Sequence, residues 1–356
     1  MYYKKISIII VILIIFILCF RRNKKITIGI FGCRHDVNIG NYLIKFAMYI
    51  KLKELGYEPY IVTTNVLNVN ISFINRTTNI VLIHNYSSIK ETDYNILLVN
   101  SDQTWRKWDK YFYDYGFLQF AKNWNKLKFV YGASLGFDYW NFNKTDEDII
   151  FPLIKNFSEI SVREQGSIKL IRDHFGISPK LVLDPTLIID KKYYLDLIND
   201  YNPKLNDTYD SSLDYIFVYY VYRLEMGIKS LIEQASQELH YKIHIFKLNN
   251  DSKVEDFIYF IKNSKAVITN SFHCTIFSIL FERPFISFNY NYTGIERLKS
   301  FSELLGFQDR IAYINNTPSV KLLTIPPKIN YNILSEKKKE SIDFIQRNLK
   351  LFKKYH

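Results

Sequence analysis

The chain has 356 residues, 48% of them hydrophobic, which is core material for two compact domains and excludes a disordered or fibrous protein. The formal net charge of +12 comes from scattered lysines, and the wealth of Ile, Lys, Asn, Tyr and Phe beside only 12 Gly points to an AT-biased coding sequence behind part of it. No helix-turn-helix, zinc-finger or RNA-binding signature accompanies those lysines, so nucleic acid is not an expected partner. Three cysteines, Cys19, Cys33 and Cys274, exclude a disulfide framework or a structural zinc cluster.

Ile6 to Phe20 is an uninterrupted apolar run between Lys4–Lys5 and Arg21–Arg22. At ~1.5 Å per residue it is slightly short for a ~30 Å hydrocarbon core, with Tyr2 and Tyr3 as interfacial anchors. No small-x-small cleavage site follows, so residues 1–24 are expected to be an uncleaved signal-anchor of a single-pass membrane protein. The heavier basic flank on its C-terminal side would by itself place the body in the cytosol. Nine N-x-(S/T) sequons, from Asn70 to Asn315, exceed the roughly three or four expected by chance and favour a glycosylated lumenal body.

Lys25 to Gly32 reads as a buried strand ending in a turn, and Asn38, Gly40 and Asn41 precede a helix closed by Gly56. Such a strand–turn–helix unit can cradle an anion or a sugar, although most are only connectors. Further strands are expected at Tyr60–Thr63, Ile80–His84, Ile96–Asn100 and Phe129–Ala133, and their alternation with helices predicts a parallel α/β sheet. Ser101, Asp102, Gln103 and Trp105 fall at the carboxyl end of the fourth run, where open α/β sheets bind ligands. Trp105 there either stacks on a sugar face or fills the core of its own loop. Ser134 ends the next strand. Asp146, Glu147 and Asp148 form a nominal DxD, but Thr145 with Asp148 reads better as a capping box opening a helix over Ile149–Phe157.

Ile160 to Arg163 is another strand, and the Arg163 guanidinium at its end suits a carboxylate or phosphate; the plain alternative is a surface ion pair with Glu164 or Asp173. Asp184, after the strand beginning at Leu181, either orients a partner across a cleft or caps its turn. Residues 25–190 thus form one expected domain and 191–213 a polar linker. A second α/β domain, 214–330, carries strands near Tyr215–Val221, Ile243–Leu248, Ala266–Thr269 and Phe285–Phe288. Residues 331–356 contain a basic terminal helix, packed on one face. Within the second domain, Asn270 and Ser271 are capping residues and His273 lies in the first helical turn, where orphan N–H groups and the helix dipole favour an anion. That imidazole either acts on what binds there or merely caps the turn.

The segment TNSFHCTIFSILFERPFI (Thr269–Ile286) resembles the S-F-H-G segment of the polysaccharide pyruvyl transferase family. NIGNYLIKFAMYIKLKELGY, NSDQTW, SVREQGS and LVLDPTLII resemble its other motifs in the same order. Cys274 departs from the usual Gly and Asn41 from a frequent Asp. The resemblance implies two Rossmann-like domains facing a cleft, as in GT-B glycosyltransferases, and a phosphoenolpyruvate donor with no metal and no other cofactor. The pyruvyl group would pass to two hydroxyls of a glycan sugar as a cyclic ketal. His273 would then be the acid and Arg163 and Arg297 the neutralising cations, with Ser271 and the first-turn amides holding the remainder. The competing readings are a glycosyltransferase using a nucleotide sugar on the same fold, and a catalytically silent membrane-anchored glycan-binding protein.

Overall fold

The structure is a computed structural model that describes residues 25–32, 38–64, 76–107, 109–201, 203, 214–221, 226–248, 252–289, 295–313, 316 and 318–352. The expected anchor at 1–24, Cys33 and residues 202 and 204–213 of the expected linker lie outside those residues. Among the described residues, no helix is long and apolar enough to cross a membrane.

Short β-branched and aromatic runs alternate with amphipathic stretches, and they fold as two parallel sheets. The first contains β1 (Thr27–Phe31), β2 (Glu58–Thr64), β3 (Ile80–Ile83), β4 (Ile96–Val99), β5 (Leu127–Ala133), β6 (Ile160–Val162) and β7 (Lys180–Leu181). Their spatial order is β3-β2-β1-β4-β5-β6-β7. All residues of β4 and β5 are buried, as helices on both faces require; Lys128 survives there by donating from Nζ to the Trp124 carbonyl at 2.8 Å. The second sheet contains β8 (Tyr215–Tyr219), β9 (Lys242–Phe246), β10 (Ala266–Thr269), β11 (Phe285–Phe288) and β12 (Ile311–Ala312), in the order β12-β11-β10-β8-β9. The strand direction of winding reverses between β1 and β4 in one sheet and between β8 and β10 in the other. Ligands of doubly wound sheets lie at the carboxyl ends of such switch points.

The main apolar core runs from the first sheet into the second, joining Phe46 and Leu187 to Phe277 and Phe257. The start of the expected linker belongs to it. Tyr194 is fully buried, donates its hydroxyl to the Thr186 carbonyl at 2.9 Å and meets the Phe277 ring edge-on at 4.8 Å. The terminal helix, Tyr331–Leu351, lies within the expected 331–356 and crosses back to the first sheet. Phe344 packs on Phe129 and Tyr131, and Arg347 grips Glu159 with two hydrogen bonds of 2.9 and 2.7 Å.

The capping box after β5 is shifted from the expected pair. Asn143, not Thr145, caps the helix, with Asp146 as its reciprocal partner, and the helix runs Lys144–Ile154. Asp146 also accepts from Lys107 and Tyr113, which takes it out of any metal-binding DxD.

Candidate functional site

The β10–β11 connection begins with a set of interlocking caps. Asn270 bridges the carboxyl ends of β8 and β10: its Oδ1 accepts from the Val221 amide at 2.7 Å and its Nδ2 donates to the Val221 carbonyl at 3.1 Å. Ser271 is the N-cap of the Phe272–Leu280 helix and accepts from the Cys274 amide. These bonds project His273 out of the first turn toward the other half of the molecule.

What it meets there is Gly40, in the first turn of the Ile39–Glu54 helix that Asn38 caps through the Gly40 amide at 2.9 Å. A Cβ on Gly40 would stand 2.0 Å from His273 Nδ1, so only glycine admits the ring. His273 is therefore 4% exposed, not an open first-turn position. Its Nε2 has no hydrogen-bond partner and lies 3.6 Å from Asp184 Oδ2, beyond hydrogen-bond length but close enough to pair with an imidazolium.

Behind Asp184 lies a buried ion network. Arg163 leaves β6 with its side chain 2% exposed, donates Nη1 to Asp184 Oδ2, and donates Nη2 to Asp102 Oδ1 at 3.1 Å. Neither Glu164 nor Asp173 takes it to the surface, because its guanidinium bridges the ends of two loops in the interior. Arg297, from the Ile295–Leu305 helix of the other half, reaches the same Asp102 oxygen at 3.4 Å. Both guanidinium carbons stand 5.4 Å from the Phe272 ring centroid, so one aromatic ring supports both cations. The Nε–H of each arginine is buried and has no acceptor among the described residues.

Burial alone would raise the carboxyls of Asp184 and Asp102, but the Arg163 charge outweighs it. His273 adds to that effect for Asp184, and Arg297 for Asp102, so both are held below the ordinary carboxylate range. Burial would likewise depress Arg163, yet Asp184 and Asp102 hold its proton more tightly than usual. Arg297 goes the other way, lowered by burial and then by repulsion from Arg163. Asp184 both caps its turn, accepting from the Thr186 amide at 3.0 Å, and faces His273 of the other half at 3.6 Å. Asp102 has φ of +88°, a conformation that costs a non-glycine residue ~1–3 kcal/mol. Its carbonyl, receiving the Ser134 amide at 3.0 Å, pins it there.

The structure thus brings His273, Gly40, Asp184, Arg163, Asp102, Arg297 and Ser271 together. Asn41 is buried one residue beyond Gly40. Ser101 and Ser134 lie beneath, tying loops to backbone: Ser101 Oγ donates to the Gly132 carbonyl at 2.8 Å, and Ser134 Oγ accepts from the Gly136 amide at 3.1 Å. Gln103 holds Arg106 at 2.9 Å. Trp105 is not available to a sugar. It is 1% exposed, stacked on Phe117 at 5.0 Å, and donates Nε1 to the Gly116 carbonyl at 2.8 Å, so it fills the loop's own core. Cys274 points into the main core with burial pushing its thiol up, which makes it a small core residue. Arg310 binds the carbonyls of Leu322, Ile325 and Pro326 and is structural.

Two participants escaped the sequence reading. Phe272 was quoted only within a motif. Glu164 figured only as a surface partner, yet it is 2% exposed, with Oε1 unpartnered and Oε2 accepting from Ser167 at 3.2 Å. Burial raises its pKa against the opposing charge of Arg163. Among the described residues, no group of three or more His, Cys, Asp or Glu could hold a metal ion. A cavity of about 20 Å³, room for one water, opens beside Arg163, Asp184, Phe272, Ser300 and Lys337.

The family model described as polysaccharide pyruvyl transferase matches residues 38–292, a span that includes every residue of the cluster but Arg297. No curated protein sequence matches. Solved structures are similar in fold at low identity. A UDP co-structure of MnaA from S. aureus aligns at 13% identity with a TM-score of 0.58, covering 93% of this chain and 98% of that one. The UDP-GlcNAc 2-epimerase of Methanocaldococcus jannaschii gives 12%, 0.56, 92% and 99%. A glycosyltransferase from Rickettsia africae gives 13%, 0.51, 94% and 99%. At these identities the likeness is one of fold, the two-sheet GT-B-like arrangement.

Proposed function

Since the chain belongs to the polysaccharide pyruvyl transferase family, we propose that its buried arginine pair receives phosphoenolpyruvate and that His273 protonates the enol carbon during transfer of the pyruvyl group to a glycan sugar. The observation that supports this most is the pair of buried, unpartnered Nε–H groups on Arg163 and Arg297, next to an unpartnered His273 Nε2. An orphaned buried donor costs ~1–3 kcal/mol, and a carboxylate or phosphate oxygen is the acceptor that both would regain. Arg163 and Arg297 face the carboxylates of Asp102 and Asp184, and the proton that His273 carries in this reading adds the positive charge offered to an anion. The Ser271-capped helix adds its dipole to the same point.

In the reaction so read, the His273 proton passes to the methylene carbon, a sugar hydroxyl adds to the carbon bearing the phosphate, and phosphate leaves. The first hydroxyl's proton restores the imidazolium, and a second hydroxyl then closes the ketal as its proton passes to the released phosphate. Asp184 holds the imidazole and Arg163 in register, and the arginines offset the charge that gathers on the departing phosphate.

The test is release of phosphate from phosphoenolpyruvate in the presence of galactosides, mannosides or glucosamine derivatives. Acceptor-dependent release is expected. Turnover of a nucleotide sugar in its place would overturn the reading.

A further inference from the structure

The buried Trp105 leaves the site without the aromatic sugar platform expected of it. One lies close by. After Ser134 the chain turns at Gly136, whose φ of +76° favours glycine and where a side chain would crowd Arg106 Cδ at 3.0 Å and Gln103 Cδ at 3.1 Å. The turn lays Phe137 on Arg106, the guanidinium carbon 4.5 Å from the ring centroid, and Arg106 is fixed by Gln103. Tyr139 leans on Phe137 at 5.0 Å and stays 55% exposed. The loop is pinned again at Trp140, which stacks on His174 at 3.9 Å and donates Nε1 to Glu147 at 2.8 Å. Two aromatic rings therefore stand between two anchors, the first three residues from Ser134 and packed on Arg106, the second exposed to solvent.

An acceptor accompanies the rings: Asp138, between them, is exposed. An aromatic face beside a carboxylate matches a pyranose: its C–H face is apolar and its hydroxyls donate.

We propose that the Gly136–Trp140 loop is the acceptor-sugar platform of this site, Tyr139 and Phe137 stacking on a pyranose ring while Asp138 accepts from its hydroxyls. This rests on the transferase reading above for the presence of a sugar acceptor, and its test separates the two. Methyl galactoside, methyl mannoside and methyl N-acetylglucosaminide are titrated into the full chain and followed by saturation-transfer NMR, with phosphoenolpyruvate titrated separately by calorimetry. Tyr139→Ala is expected to weaken saccharide binding roughly 3- to 10-fold, Tyr139→Trp to retain it, and neither to change the melting temperature or phosphoenolpyruvate affinity. Absence of saccharide binding to the parent protein, or equal binding by Tyr139→Ala, would overturn the platform. Tyr139-dependent saccharide binding without any phosphoenolpyruvate binding would support the platform and overturn the donor reading.

Discussion

Gly40→Ala tests whether the contact between the two halves sets the position of the imidazole. The added methyl would stand 2.0 Å from His273 Nδ1 and 2.6 Å from Cε1. Restoring an ordinary contact of about 3.5 Å requires roughly 1.5 Å of movement by the ring or the helix. Overpacking of this kind costs ~1–3 kcal/mol, and the gain from replacing a helical glycine returns ~0.4–1 kcal/mol, so the net loss should be about 1–2 kcal/mol. At ~2–4 °C per kcal/mol the melting temperature should fall by a few degrees. Turnover should suffer far more, since a displacement of about 1 Å at a reacting group costs on the order of 100-fold. Calorimetric melting of Gly40→Ala, His273→Ala and the double variant isolates the contact. In the His273→Ala background the methyl has room, and its cost should vanish or change sign. An equal cost in both backgrounds, or a fully active Gly40→Ala enzyme, would refute the reasoning.

Arg163→Lys should lower both the melting temperature and phosphoenolpyruvate affinity, because one ammonium cannot span Asp184 and Asp102 together and leaves a carboxylate buried and unpaired; unchanged affinity by calorimetry would remove Arg163 from the donor site. Glu164 has its pKa raised in the fold, so its protonated form favours folding. Its contribution is full below the ordinary carboxyl value of 4.5 and is lost as pH rises through the raised value. Glu164→Gln should therefore flatten the decline in urea stability between mildly acidic and neutral pH, and an unaltered pH slope would argue against a neutral Glu164. Trp105→Phe should cost ~1 kcal/mol for the lost bond to Gly116 and leave saccharide binding unchanged; weakened binding would return Trp105 to the acceptor site.

The central strands were legible because β-branched runs such as Ile96–Val99 sit between helical periods, and Ala266–Thr269 and Phe285–Phe288 fall where the pattern puts them. Ile311–Ala312 went unread because two residues carry no periodicity. The capping box slipped from Asn143/Asp146 to Thr145/Asp148 because several capping side chains crowd one turn, and local chemistry does not rank them. Members of the cluster were visible one at a time through their places at strand ends and helix caps. Their pairing was not, since Arg163 meets Asp184 across 21 residues and Asp102 across 61, distances that only the completed sheet closes. The burial of His273 follows from Gly40 in the other half, and that of Trp105 from the short Phe112–Phe117 helix, whose six residues show no amphipathic period. Glu164 was passed over for the same cause: a carboxylate beside an arginine reads as a surface pair until burial is known.

The most direct test is calorimetric titration of the full chain with phosphoenolpyruvate and, separately, with uridine diphosphate. The buried arginine pair with its two orphaned Nε–H groups should give saturable binding of phosphoenolpyruvate that His273→Asn retains while turnover drops ~10²–10⁴-fold. Saturable binding of uridine diphosphate with no heat from phosphoenolpyruvate would contradict the account.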